Sequence, residues 1–135
     1  MLWAQAWLRG PLRIFKTKAF ARFARKSGLG DAALCAAVSD AERGLVDADL
    51  GGGVIKQRIA RQGQGKSGGF RVVILYRRGS KAFFVYGFAK SERENISQDE
   101  LVALKELASE MLAYGEHEIA GAIASGPLIE VNCNG

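Results

Sequence analysis

Between Asp49 and Glu92 the chain carries no acidic residue and nine basic ones: Lys56, Arg58, Arg61, Lys66, Arg71, Arg77, Arg78, Lys81 and Lys90. Such an imbalance is the footprint of a surface that meets a polyanion, the plainer reading being a solvated basic face. In "GVIKQRIAR" the alternation puts Val54, Lys56, Arg58 and Ala60 on one face of a strand and Ile55 and Ile59 on the other. Arg61 and Arg71 flank a glycine-rich stretch and carry planar forks suited to phosphate; Lys66, within it, offers a point charge. Glycine lets backbone approach a phosphate closely. The stretch reads either as a site for a nucleic-acid backbone or as a hairpin loop that is polar because it is exposed.

The same stretch, "ARQGQGKSGG", satisfies a permissive form of the nucleotide-binding P-loop, with Ala60 in place of the first glycine. That motif works by turning a strand directly into a helix whose N-terminus receives the phosphates. Here Ser67 is followed by "GGFRVVILYR", which is strand, and no later apolar strand ends in an acid able to hold magnesium. A P-loop is therefore rejected in favour of a basic β–β connection.

Other chemistries find little support. His117 is the one histidine, between Glu116 and Glu118 on an expected helix, where a solvated role fits best. No metal-binding cluster and no cofactor motif is visible. Cys35 and Cys133 are too few for a disulfide framework and are expected as free thiols in a reducing, cytoplasmic setting. No apolar run approaches the roughly 20 residues of a membrane helix, so no membrane partner is expected. The net charge of +5 hides a reversal: from Ser97 onward seven acids face Lys105 alone.

The 135 residues suit one domain. Residues 1–11 read as a short N-terminal extension, 12–114 as the core, and 115–135 as a C-terminal helix and tail. A strand is expected over 12–16, then a helix over 17–26 with Phe20, Phe23 and Ala24 on one side. "SGLGD" breaks the chain, with Asp31 as N-cap of a second helix to about Arg43 bearing Leu34, Val38, Ala41 and Leu45. "DADLGGG" reads as loop. The strand of Lys56 follows, then "FRVVILYR" as a central strand and "KAFFVYGFAK" as its hairpin partner across "RRGS". Ser97 and Glu100 form a capping box, with Ile96 and Leu101 as staple, for a helix buried through Leu104, Ala108, Met111 and Leu112. A short helix over 116–125 closes at Gly126-Pro127, and "LIEVN" either pairs as a late strand or lies on a partner.

From "RIFKTKAFARFARKSGL" to about Tyr114 the sequence resembles the RelE superfamily of bacterial toxins, in its HigB-like branch. The loop "GKSGGFR" and the run "YGFAKSERENI" carry the resemblance. It implies an α+β fold of β-α-α-β-β-β-α order, a small antiparallel-dominated sheet with helices packed on it. It also implies a toxin of a type II toxin–antitoxin system, neutralised by a cognate antitoxin protein, expected to be of helix-turn-helix type. Most such toxins cut messenger RNA on the ribosome without metal; the ParE relatives instead inhibit DNA gyrase, and an inactive RNA-binding module is a further alternative.

Metal-free RNA cleavage needs a base for the 2′-hydroxyl, cations for the phosphorane and an acid for the 5′-oxygen. With no usable histidine the candidates are Lys, Arg and Tyr. Clustered like charges lower a lysine pKa and suit it to act as base, while arginine keeps its charge and stabilises anions. By resemblance, Lys56 and Arg58 match the basic pair on the strand before the loop, and Arg71 matches the arginine after it. Lys90 and Arg93 match the basic residues beyond the last strand. Arg61, Lys66, Arg77, Arg78 and Lys81 are the expected RNA contacts. Ser91 and Ser97 stand where RelE itself has an arginine and its catalytic tyrosine. The acid is thereby left open among Arg71, Lys90, Arg93 and a ribosomal group, with Tyr86 next in line although its strand position suggests core.

Overall fold

The computed structural model describes residues 12–61 and 68–133. The extension 1–11 and the loop 62–67, including Lys66, lie outside the described residues. The elements run β1 (Arg13–Thr17), α1 (Lys18–Ser27), α2 (Asp31–Glu42), β2 (Ala48–Gly51), β3 (Val54–Ile59), β4 (Phe70–Arg77), β5 (Lys81–Ala89), α3 (Gln98–Met111), α4 (Glu116–Ser125) and β6 (Leu128–Glu130). The strands form one sheet in the order β2-β3-β4-β5-β1-β6, antiparallel except for the β1–β5 pair. This is the α+β, antiparallel-dominated architecture expected.

Both faces of the sheet are covered, which explains the nearly continuous apolar run of β4. On one face α1 and α2 pack Phe20, Leu34 and Val38 against Ile55, Val72, Ile74 and Phe84. On the other α3 and α4 pack Ala108, Met111 and Ile119 against Phe15, Val54, Val73 and Phe83. The capping box of α3 is present: Ser97 Oγ accepts from Glu100 N, and Glu100 Oε1 accepts from Ser97 N at 2.7 Å. Ile96 and Leu101 pack on the same cluster.

Four expectations are corrected. "DADLGGG" is not all loop, because Ala48–Gly51 pairs with β3 as an edge strand. Leu45 lies past the end of α2 and is 59% exposed, so the buried stripe stops at Ala41. Asp31 is not the N-cap of α2; Gly30 is, and the Asp31 carboxylate instead accepts from Lys16 Nζ and Asn132 N, each at 3.0 Å. The cysteines are not free. β6 runs beside β1, and Val131 N donates to Ile14 O, so the C-terminal tail is laid along α2 and Cys133 forms a disulfide with Cys35. The two lie 98 positions apart, a distance at which local sequence carries no pairing signal.

Closing a loop of that length restricts the unfolded chain strongly. Cys133→Ala is expected to lower stability by about 2–4 kcal/mol in denaturant titrations without reductant. The gap should vanish in reducing buffer; a gap that persists there would assign the loss to packing of the tail.

Candidate active site

Lys56 and Arg58 project from the face of β3 that carries Val54, the α3 side, while Gln57 points the other way. Gln57 is 2% exposed and fully engaged: its Nε2 donates to Ala37 O and Leu45 O, and its Oε1 accepts from Asp47 N. Those bonds lock β3 to α2 and to the turn after it. Asp47 in turn accepts from Arg58 N at 2.6 Å, so the register of the basic pair is held from both sides. Across the sheet, Arg58 stands opposite Arg71, and Arg71 opposite Phe88; Lys56 stands opposite Val73, and Val73 opposite Tyr86.

Tyr86 reaches this face through a break in β5. Val73 pairs with Tyr86 but Ile74 pairs with Phe84, so Val85 is an extra residue. Strict alternation would put Tyr86 with Phe84, in the core under α1. The bulge places Val85 and Tyr86 together on the α3 side. Tyr86 packs half-buried on the α3-side core, as its strand position suggests, but on the Lys56 face, with its hydroxyl accepting from Arg93 Nη1 at 2.9 Å. Arg93 lies over both the Tyr86 and Phe88 rings, 5.8 and 5.6 Å from their centroids. Its other nitrogens bind Glu100 at 2.7 Å and the Asn95 carbonyl at 2.8 Å. Asn95 Oδ1 accepts from Lys56 Nζ at 3.0 Å. The segment between β5 and α3 thus closes over the basic strand face.

The electrostatics follow from that crowding. Burial holds the Lys56 ammonium below the ordinary lysine range, and the neighbouring Arg71 and Arg58 guanidinium groups add to the effect, with Asp47 opposing. Arg71, 6% exposed, is lowered by burial and then by Arg58. Glu100 is pulled down to about 2, first by the hydrogen bond from Arg93 and then by the Ser97 backbone, so the Arg93–Glu100 pair stays ionised at neutral pH. A lysine held toward its neutral form beside two fixed cations can accept a proton next to an anion that those cations stabilise.

Lys56, Arg58, Arg71 and Arg93 are brought together. Lys90 follows β5 at the same end of the sheet, its backbone N–H bonded to Gly69 O. Arg61 sits on the opposite face, over the Phe70 ring. Arg77, Arg78 and Lys81 do not join the cluster. They flank the β4–β5 turn, six residues and about 20 Å along the strand from Arg71. Lys81 there donates to the Tyr114 carbonyl. Among the described residues the basic side chains of the acid-free window are therefore spread over three places: the Lys56 face, Arg61 on the opposite face, and the β4–β5 turn. Gly69 also departs from the expected reason for a glycine: a Cβ there would meet Ile59 O of β3 at 2.2 Å, so the residue serves strand packing. Asp47, Gln57 and Asn95 had no motif to mark them; Glu100 was visible as a cap but not as the partner of Arg93. Among the described residues no three His, Cys, Asp or Glu side chains group to hold a metal ion.

The family model described as the RelE toxin of the RelE / RelB toxin-antitoxin system matches residues 12–131. The chain belongs to the RelE toxin family. The matched span runs from just before β1 to just beyond β6, so it contains the whole basic face of this RelE toxin. No match was found among curated proteins or among solved structures. Family membership makes the chain the toxin half of a type II toxin–antitoxin pair. Among the described residues no helix is long and apolar enough to cross a membrane.

Proposed function

We propose that this RelE toxin is a ribosome-dependent messenger RNA endonuclease of the HigB-like branch, restrained by a helix-turn-helix antitoxin. The observation that carries the reading is Lys56, lowered in pKa by burial and by Arg71 and Arg58, on a strand face that also presents Tyr86.

In this mechanism neutral Lys56 takes the proton of a 2′-hydroxyl. The 2′-oxygen attacks the adjacent phosphorus, and the bond from phosphorus to the 5′-oxygen breaks. Arg58 and Arg71 offset the charge that grows on the phosphorane. Tyr86 gives its phenolic proton to the departing 5′-oxygen, leaving a 2′,3′-cyclic phosphate and a 5′-hydroxyl. Arg93 donates to the Tyr86 oxygen, which leaves the phenolic hydrogen free to point at substrate. Arg93 is committed to Glu100 and acts as a positioning residue for the phenol. Lys90 supplies a phosphate contact at the end of the sheet.

The test is cleavage of a programmed ribosome by the purified chain. Truncated message with a 2′,3′-cyclic phosphate end is the expected result. Intact message together with arrested DNA replication in expressing cells would overturn it in favour of gyrase inhibition. Arg71→Met, which keeps volume and removes charge, should leave a folded protein whose affinity for RNA falls less steeply with salt, by about 0.7 in the log–log slope per lost contact. An unchanged slope would take Arg71 out of the phosphate-binding set.

A further inference from the structure

On the face of the sheet opposite Lys56, α1 and the ends of β3 and β4 enclose a cleft of about 640 Å³ lined by Arg22, Phe23, Lys26, Arg61, Phe70 and Glu92, with Ala19 and Ser27 at its edge. We infer that this cleft is a second RNA subsite, which holds a single-stranded flank of the strand being cut; the inference rests on the endonuclease reading.

Charge is the first argument. The helix sequence "KAFARFARKS" contains no acid, and residues 1–30 contain none at all, so α1 extends the acid-free character to a segment far from β3 and β4 in sequence. Lys18, Arg22 and Lys26 recur every fourth residue and form a stripe along one side of α1. A solvated helix at the surface would gain from interspersed carboxylates; this one has none.

The second argument is shape and rigidity. The Arg61 guanidinium lies 4.8 Å from the Phe70 ring centroid, which holds the planar group in place. Phe23 and Phe70 meet edge to face, with centroids 5.9 Å apart. Phe23 lies directly on the bare backbone of Gly87, where a Cβ would come 2.3 Å from the ring. That contact sets α1 close to the sheet and fixes the wall of the cleft. Arginine planes and aromatic rings are the groups on which unpaired bases stack, beside cations that bind the backbone.

Continuity is the third. Arg61 follows Ile59 of β3 after one residue, and Arg58 precedes it on the same strand, facing the proposed catalytic side. An RNA strand passing from Arg58 and Arg71 around the end of the sheet would meet Arg61 and then Arg22 and Lys26. Glu92 is the one carboxylate lining the cleft among the described residues, and it biases phosphate toward the α1 side.

The experiment compares Arg22→Ala/Lys26→Ala with the parent in the full chain, binding end-labelled single-stranded RNA of about 4 and about 12 nucleotides. Both substituted residues are exposed, so the fold should be kept, which a thermal melt verifies. The double variant should bind the longer RNA about tenfold more weakly at 0.1 M salt, with a salt slope reduced by about 1.4, and the shorter RNA as the parent does. Glu92→Gln should tighten the longer RNA about twofold. Equal binding of the longer RNA by parent and double variant overturns the subsite while leaving the endonuclease reading intact. A double variant that keeps RNA binding but loses neutralisation by its antitoxin assigns the cleft to protein and also overturns it. Failure of the parent to bind the longer RNA overturns the subsite, whereas failure to cut message on a programmed ribosome would sink the endonuclease reading, and the subsite with it.

Discussion

Lys56→Arg should cut a programmed ribosome about 10²-fold or more slowly than the parent while binding it nearly as well. The substitution keeps the charge and the strand face but replaces a group that can lose a proton by one that cannot. Lys56 is suited to the task because burial, and then Arg71 and Arg58, disfavour its charged form. The sign of the pH effect follows. A lysine lowered from its ordinary value has a larger neutral fraction as pH rises, so the parent's cleavage rate should climb with pH and level off below the ordinary lysine range. Lys56→Arg should lack that rising limb. Lys56→Ala and Arg58→Ala should each lose about 10²-fold or more, the second through charge stabilisation and without changing the shape of the profile. A Lys56→Arg protein that cuts like the parent, with the same profile, would reduce Lys56 to a point charge, and Lys66 and Lys90 would become the next candidates for the base.

Tyr86→Phe is expected to lower single-turnover cleavage by about 10²–10⁴-fold with little change in stability or ribosome binding. The ring remains on the bulged strand, with its contact to Phe88, and only the hydroxyl that Arg93 orients is lost. The decisive measurement uses a substrate whose leaving 5′-oxygen is replaced by sulfur, which departs without protonation. Parent and Tyr86→Phe should then react at similar rates if the phenol is the acid. A deficit that persists with the sulfur substrate would assign Tyr86 a binding role. Glu100→Gln offers a graded companion: it weakens the hold on Arg93 and should slow cleavage less than removal of the hydroxyl itself, with no change in the sulfur substrate's rate.

Much of the fold was legible because local chemistry wrote it. Ser97 and Glu100 announce the start of α3, since a side-chain oxygen three residues from a carboxylate satisfies two end-of-helix donors wherever it occurs. The period of two in "GVIKQRIAR" aims Lys56 and Arg58 to one side whatever the strand pairs with. The unbroken apolar run of β4 marks a strand covered on both faces. The glycine-rich loop and "YGFAKSERENI" made the toxin family readable in the sequence. These features depend on neighbours within a few residues, and a sequence displays such neighbours directly.

What tertiary structure alone decided depends on pairs far apart in the chain. The nine basic residues read as one patch, yet strand length separates Arg77, Arg78 and Lys81 from Arg58 and Arg71, and only the sheet brings Arg58 and Arg71 together. The single extra residue in β5 turns Tyr86 toward Lys56, and a bulge is a property of how two strands pair, invisible in either one. Asp47 and Asn95 gained roles by meeting β3 from distant parts of the chain, and Gln57 by reaching from β3 to α2. Cys35 and Cys133 looked like isolated thiols until β6 came to lie beside β1. Residue types and their local spacing thus determined which strand face would carry the cations. The register between strands and the return of the tail decided which of those cations share a site, which hydroxyl joins them and what is covalently tied.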